Sequence, residues 1–274
     1  MPLSFLFNLG LALSAALIFM TAFWAITERL QNSSLVDAAW SLCIAALGLF
    51  FLIRSGLTPR SITAAGLLLV WALRLGLFIL WRNHGKGEDP RYTALREKWG
   101  TDQKRKMLFF FWSQGAAASF FTLPFVLIAL SNAGSLQFQE YAASLLLLLS
   151  AAGETSADLS LAKHKKDPAN RGKTCRAGLW NYSRHPNYFF EWLCWSTFAL
   201  FASASPAGGL AWACPALMLY FLLKVSGIPM TEAQALKSRG EDYREYQRTT
   251  SMFVPLPKRY QVPKDQVDSH KNSR

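Results

Sequence analysis

Charge is what this sequence has least of. Only 17% of its 274 residues are Asp, Glu, Lys or Arg, and 51% are hydrophobic; a soluble domain carries about 25% charged residues. The positives that remain, 29 Lys and Arg against 17 Asp and Glu, come in blocks between long stretches with almost none. That pattern excludes a disordered chain and does not suit a basic soluble nucleic-acid binder, so nucleic acid is not an expected partner. Cysteine is sparse too: Cys43, Cys175, Cys194 and Cys214 form no CxxC pair, which indicates neither a zinc site nor a disulfide framework. The four histidines (84, 164, 185 and 270) show no metal-ligand spacing, and no metal is expected. Neither GxGxxG nor a Walker sequence occurs, which excludes a Rossmann or P-loop domain as a nucleotide site. There is no clear repeat and no low-complexity tract.

What the sequence does have is long apolar runs. A helix needs roughly 20 apolar residues to cross a bilayer core of about 30 Å. Seven candidate spans meet or approach that length: Leu3–Ile26, Leu35–Ile53, Ile62–Trp81, Leu108–Leu130, Tyr141–Leu161, Tyr188–Phe201 and Gly209–Ile228. The sixth is short and starts beside polar residues. The fold class is therefore an all-α polytopic membrane protein with seven transmembrane helices. It is expected to form one membrane domain over residues 1–260, with a flexible polar tail at 261–274. No Lys or Arg precedes Arg29, so the first span lacks the basic n-region of a cleaved signal peptide and is expected to be retained as a helix.

The basic residues orient these spans. Segments 82–106 and 162–187 and the tail after Ile228 hold eight, seven and nine Lys or Arg, whereas 54–61, 131–140 and 202–208 hold only Arg54 and Arg60. With seven spans the rich segments share one side, which the positive-inside rule makes cytoplasmic. The expectation is N-terminus out and C-terminus in.

Ionisable groups inside a span are costly and usually face a protein interior or a watery cavity. Here they are Asp37, Arg74, Glu154, Asp158, Glu191 and Lys224, all in the cytoplasmic halves of their spans. A cavity open to the cytoplasm accounts for that bias better than a transport path does. Plainer readings stand beside it. Lys224 and Arg74 suit snorkelling to phosphates, Glu154 and Asp158 suit a helix boundary, and Asp37 suits a helix start. Segment 82–106 mixes Gly85, Gly87 and Pro90 with Asn83, Lys86, Arg91 and Tyr92. Segment 162–187 holds Lys163, Lys165, Lys166, Arg171, Lys173, Arg176 and Arg184, then His185, Pro186 and Asn187. Glycines allow close backbone approach to a ligand, and Lys and Arg supply phosphate contacts. A lipid contact explains the charge of such loops, but not their glycines, asparagines and aromatics.

The stretch GLWNYSRHPNYFFEW (178–192) and the later SGIPMTEAQALKSRGEDYREYQRTTSMFVPLP (226–257) resemble the C-terminal region of steroid 5-alpha-reductase-like membrane enzymes, in particular their bacterial branch. LRLGLFILWRNHGKGEDPRYTALREKWG (73–100) fits the same branch. More distantly, sterol reductases and isoprenylcysteine carboxyl methyltransferases share the RHPxY core. The resemblance implies a seven-helix reductase that holds NADPH in a cytoplasm-facing cavity. Its substrate would be a lipid or steroid-like molecule with an activated C=C bond, entering from the bilayer. It implies an integral protein of the bacterial inner membrane, in contact with membrane lipids.

By position, Asn83 and Lys86 match a turn that contacts the cofactor. Asp158 and Lys165 match an Asp and a basic residue seven positions later. Asn187 and Glu191 match the NYxxE pattern, expected near the nicotinamide and ribose, and Arg184, His185 and Tyr188 are counted with them. Arg171 or Arg176 would contact the 2'-phosphate, and Tyr243 lies in the tail motif that would close over the cofactor. Asp37, Trp71 and Arg74 form the candidate catalytic set. The family's steroid reductases polarise the substrate carbonyl with a Glu in the second span and a Tyr in the third. Asp37 lies near the first, and Trp71 replaces the second, so the 3-oxo-4-ene steroid itself is not implied while reduction of an enone in general is. Two other classes share parts of the pattern: an S-adenosylmethionine-dependent methyltransferase, through RHPNY and Glu232, and a non-catalytic lipid-binding membrane protein.

Overall fold

Thr58, Pro59 and Ser61 show how an apolar run becomes a helix with a defined start. The Thr58 hydroxyl accepts from the Ser61 backbone N–H, and Ser61 returns a side-chain acceptor to Thr58. This reciprocal cap satisfies two backbone donors that a helix start leaves open. Pro59 sits in the first turn, where its missing N–H costs nothing. From there α3 runs Pro59–Asn83.

The computed structural model describes residues 3–85, 87–131, 134–225 and 227–258. In order the longer helices are α1 (Leu3–Leu30), α2 (Val36–Arg54), α3, α4 (Pro90–Trp99), α5 (Gln103–Phe121), α6 (Leu123–Ala129), α7 (Phe138–Lys166), α8 (Pro186–Ala202), α9 (Ala213–Tyr220), α10 (Ile228–Arg239) and α11 (Glu241–Thr249). Among the described residues there is no β-strand beyond a single bridge between Ser183 and Ser251. Among the described residues six helical runs are long and apolar enough to cross a membrane: Leu6–Leu30, Ser33–Arg54, Pro59–Asn83, Arg91–Ala129, Phe138–Lys166 and Gly208–Arg239. The protein is an integral membrane protein of helices. The run that falls short of the seven expected is the sixth. It forms α8, whose 17 residues rise about 26 Å at 1.5 Å each, less than a core of about 30 Å.

Segment 82–106 reads from sequence as a loop, yet most of it is helix. Asp89 caps α4 by accepting from the Arg91 N–H, and Pro90 fills the first turn. Burial opposes ionisation of Asp89, but the Arg91 hydrogen bonds and charge outweigh it and hold the carboxyl below its ordinary value.

Two compact units divide the chain, Met1–Ala151 with Cys194–Ala216, and Ala152–Leu193 with Leu217–Arg274. In the first, α1 packs on α5, and α2 packs on α3, α5 and α6. The α2–α3 approach is close because Gly48 has no side chain: a Cβ there would lie 2.5 Å from Leu68 Cδ2. The core of this unit is aromatic. Trp195 lies edge-on to Phe121 at 4.5 Å and to Trp71 at 5.0 Å, and Phe125 meets Phe198 at 5.0 Å. In the second unit the carboxyl end of α7 meets the start of α8, where a Cβ on Gly153 would fall 2.6 Å from the Phe190 ring. Tyr243 and Tyr246 of α11 pack with Ala235 of α10.

Candidate functional site

In the first unit the turn between α1 and α2 is fastened to the segment before α4. Glu88 Oε1 accepts from the Ser33 N–H at 2.7 Å and from Arg96 Nε at 3.1 Å, and Arg96 also pairs with Glu28 at 2.7 Å. Asn83, expected at a cofactor, donates to the Ser34 carbonyl at 3.2 Å and so also fastens this turn. Lys86 lies outside the described residues. Asp37, at the start of α2, receives the Tyr92 hydroxyl at 3.4 Å and stands 3.6 Å from Arg91 Nη2. Sequence names Tyr92 only as a member of segment 82–106; its pairing with Asp37 is not encoded in any spacing, because it arrives from α4, 55 positions away.

Trp71 is 0% exposed, ringed by Trp40, Trp195 and Phe198. Arg74 is half-buried, its guanidinium 5.8 Å from the Phe78 ring centroid. Lys224 is exposed, in a π-helical turn after α9, as snorkelling requires.

The second unit gathers most of the expected cofactor residues. Asn187 Nδ2 donates to Asp158 Oδ1 at 3.2 Å. Asp158 and Glu154, one turn apart on α7, are 7% and 4% exposed. Glu191 is half-buried on α8, one turn beyond Asn187. The spacing that put these pairs on shared helix faces therefore describes a polar meeting of α7 and α8.

Arg184, His185 and Tyr243 converge on one carboxylate, that of Glu232. Arg184 Nε donates to Oε1 at 2.7 Å, His185 Nε2 at 3.2 Å and the Tyr243 hydroxyl at 3.3 Å, while Gln247 donates to Oε2 at 2.7 Å. Burial is the largest influence on His185 and pushes it below the ordinary histidine value, against the pull of Glu232. The His185 ring stacks on Tyr188 at 5.4 Å, and the Tyr188 hydroxyl meets Thr231 at 3.1 Å.

Arg176 is engaged by acids. It pairs with Asp242 at 3.2 Å and Glu245 at 3.1 Å, and lies over the Tyr246 ring. Burial opposes ionisation of Asp242, but hydrogen bonds from Thr174 and the Arg176 charge keep its carboxyl below the usual value. Arg171 is placed differently. With Lys165, Lys166, Lys173 and Arg239 it lines a cavity of about 330 Å³, and Asp167 is the one acid in that lining. Asp167 is turned to its own loop, accepting from the Ala169 N–H and from Asn170. Among the described residues no carboxylate lies within ion-pair distance of Lys166, Arg171, Lys173 or Arg239. Arg239 comes from α10 and has no sequence link to the loop it joins.

Among the described residues no group of His, Cys, Asp and Glu could hold a metal ion. No curated protein and no solved structure matches the chain. A family model matches residues 23–250, most of the chain, and the protein belongs to that family, described as a protein of unknown function (DUF1295).

Proposed function

We propose that this protein is a membrane-embedded, NADPH-dependent reductase of an activated C=C bond, an enone, in a lipid or steroid-like substrate, as its resemblance to the steroid 5-alpha-reductase-like enzymes implies. The observation that carries the reading is the basic cavity of the second unit. Five cations line it against the single carboxylate of Asp167; like charges brought together repel one another, and a multiply charged phosphate ester is the ligand class that relieves the repulsion. At about 330 Å³ the cavity is at the low end of the ~300–1,000 Å³ usual for small-molecule sites. It fits the phosphate-bearing end of a dinucleotide rather than the whole. Arg171 takes the 2'-phosphate role, because Arg176 already serves Asp242 and Glu245.

NADPH, when bound, supplies the hydride for such a reduction. Asn187, fixed by Asp158, and Glu191 on the same helix face offer polar atoms to orient a ribose or carboxamide. Tyr92 holds its phenolic proton against Asp37, so the first unit carries a phenol–carboxylate pair although Trp71 stands at the family's tyrosine position. The aromatic core around Trp71 excludes water. A flat apolar substrate enters from the bilayer.

The proposed topology has seven crossings with α8 as the sixth, N-terminus out and C-terminus in, and the site facing the cytoplasm of the bacterial inner membrane. Reporter fusions after Ile53 and Asn132 should then read periplasmic, and one after Lys106 cytoplasmic.

The deciding experiment is identification of nucleotide retained by, or titrated into, the purified protein. NADPH bound in preference to NADH, more weakly as salt rises, supports the reductase. S-adenosylmethionine bound instead makes the protein a methyltransferase, and no nucleotide at all returns it to lipid binding. Glu191→Gln should fold normally and bind NADPH about tenfold or more weakly, the loss of one charge-assisted hydrogen bond.

A further inference from the structure

Glu232 joins two different segments through one carboxylate. Arg184, His185 and Tyr243 reach Oε1 and Gln247 reaches Oε2, four donors on a group that accepts about four and is crowded at one oxygen. Arg184 and His185 belong to the turn that leads into α8. Tyr243 and Gln247 belong to α11. Arg184, oriented by Glu232, also donates from Nη1 to the carbonyls of Gln247 at 2.7 Å and Thr250 at 3.2 Å. That satisfies carbonyls which the end of a helix leaves open. Beyond α11 the chain continues along the same turn: Arg184 N–H donates to the Ser251 carbonyl at 2.8 Å, Ser183 Oγ to the Phe253 carbonyl at 2.7 Å, and Leu256 N–H to the Tyr182 carbonyl at 3.0 Å. The tail from α10 to Leu256 is thus a strap, and Glu232 is its buckle.

The strap reaches the basic cavity as well. Arg239 is the last residue of α10, two turns and about 10 Å along the axis from Glu232, and it lines the cavity with Arg171 and Lys173. We infer that Glu232 is a positioning residue: by holding α10 and α11 to the Arg184–His185 turn it keeps Arg239 in the phosphate-binding cavity, and release of the bound phosphate ester requires this strap to loosen. The ligand half of this inference rests on the nucleotide reading above; the strap half does not.

Amide hydrogen exchange of the full-length protein in detergent, without nucleotide, tests the strap. Glu232→Gln keeps the side-chain shape but removes the charge and turns one acceptor into a donor. Residues 241–256 should then exchange about tenfold or more faster, with α1–α3 unchanged. Unchanged exchange in 241–256 overturns the strap. Should Glu232→Gln unfold the whole protein, Tyr243→Phe deletes a single donor and leaves the carboxylate in place. It should give a smaller rise confined to the same residues, and no rise overturns the strap.

NADPH release, followed by stopped-flow fluorescence, tests the coupling. Glu232→Gln and Arg239→Ala should each speed release, and the double variant should be no faster than the faster single, because both changes remove the same cation. Effects that multiply show two independent contributions and overturn the coupling. If neither wild type nor variant binds NADPH while exchange in 241–256 still rises, the nucleotide reading fails and the strap stands.

Discussion

Asn187 Nδ2 donates to Asp158 Oδ1 across 3.2 Å, joining α8 to α7 at a depth where Asp158 is only 7% exposed. A neutral donor on a buried carboxylate stabilises twice: it satisfies an acceptor, and it prevents the penalty of leaving that acceptor dry. Asn187→Leu, similar in volume, removes the donor. Its expected cost is about 1–3 kcal/mol, read as a lower melting temperature in detergent. Under the proposed function it also removes the extra stability that NADPH confers. A variant as stable as wild type would mean that the pair contributes nothing.

The elements of this site were legible in sequence to the extent that they are local. Apolar run length located the spans, and the i, i+4 spacing of Glu154 with Asp158 and of Asn187 with Glu191 placed each pair on one face. That the two faces meet was not legible, because 29 positions separate Asp158 from Asn187 and no periodicity encodes a contact between helices. The same limit hid Glu232 as the common partner of Arg184, His185 and Tyr243, and Arg239 as a wall of the basic cavity. Length alone separated α8 from the other runs, since its composition is as apolar as theirs. Segment 82–106 carried its helix start in plain view, Asp89 followed by Pro90, but its charge was read as a loop signal.

Arg171 and Arg176 look alike in sequence and differ in company. Arg171 lines the basic cavity, whereas Arg176 is bound by Asp242 and Glu245. Arg171→Ala should leave the melting temperature within the small range of a surface change, about 0.5 kcal/mol, and weaken NADPH more than NADH. Arg176→Ala should lower stability through the tail and leave the ratio of the two affinities unchanged. The reverse pattern would move the 2'-phosphate to Arg176.

His185 makes stability depend on pH. Its folded-state pKa lies below the ordinary histidine value of 6.5 because burial outweighs Glu232; Arg184, Glu232, Tyr188 and Tyr243 are the titratable groups around it or its partner. Between the folded and ordinary values the unfolded chain holds a proton that the folded chain does not. Stability therefore rises with pH in that window, is fully present above the ordinary value, and is lost as pH falls through the folded one. Melting temperature followed from about pH 7.5 to about pH 5 should fall less steeply in His185→Gln than in wild type. Equal slopes would assign the acid sensitivity to other groups.

Arg60 and Glu140 form the most deeply buried ion pair among the described residues, 1% and 0% exposed, with Arg60 Nε 2.5 Å from Glu140 Oε1. Arg60 stands in the first turn of α3 and Glu140 in the first turn of α7. Ser205 accepts from Arg60 Nη2 at 2.8 Å, and the Gln137 N–H donates to the second Glu140 oxygen at 2.8 Å. From sequence Arg60 reads only as one of the two basic residues, with Arg54, in the charge-poor segments. Two charges withdrawn from solvent lose several kcal/mol of hydration each, and only their mutual attraction and added hydrogen bonds offset it. Arg60 Nη1 is buried without a hydrogen-bond partner among the described residues, so the offset is incomplete. Removing one partner then leaves a buried charge alone. Glu140→Ala should cost about 3–5 kcal/mol, seen as a large drop in melting temperature, whereas a variant carrying both Arg60→Met and Glu140→Leu should recover most of it or exceed wild type. If the double variant is as unstable as Glu140→Ala, what matters at this site is the hydrogen bonds to Ser205 and Gln137 rather than the pairing of the two charges.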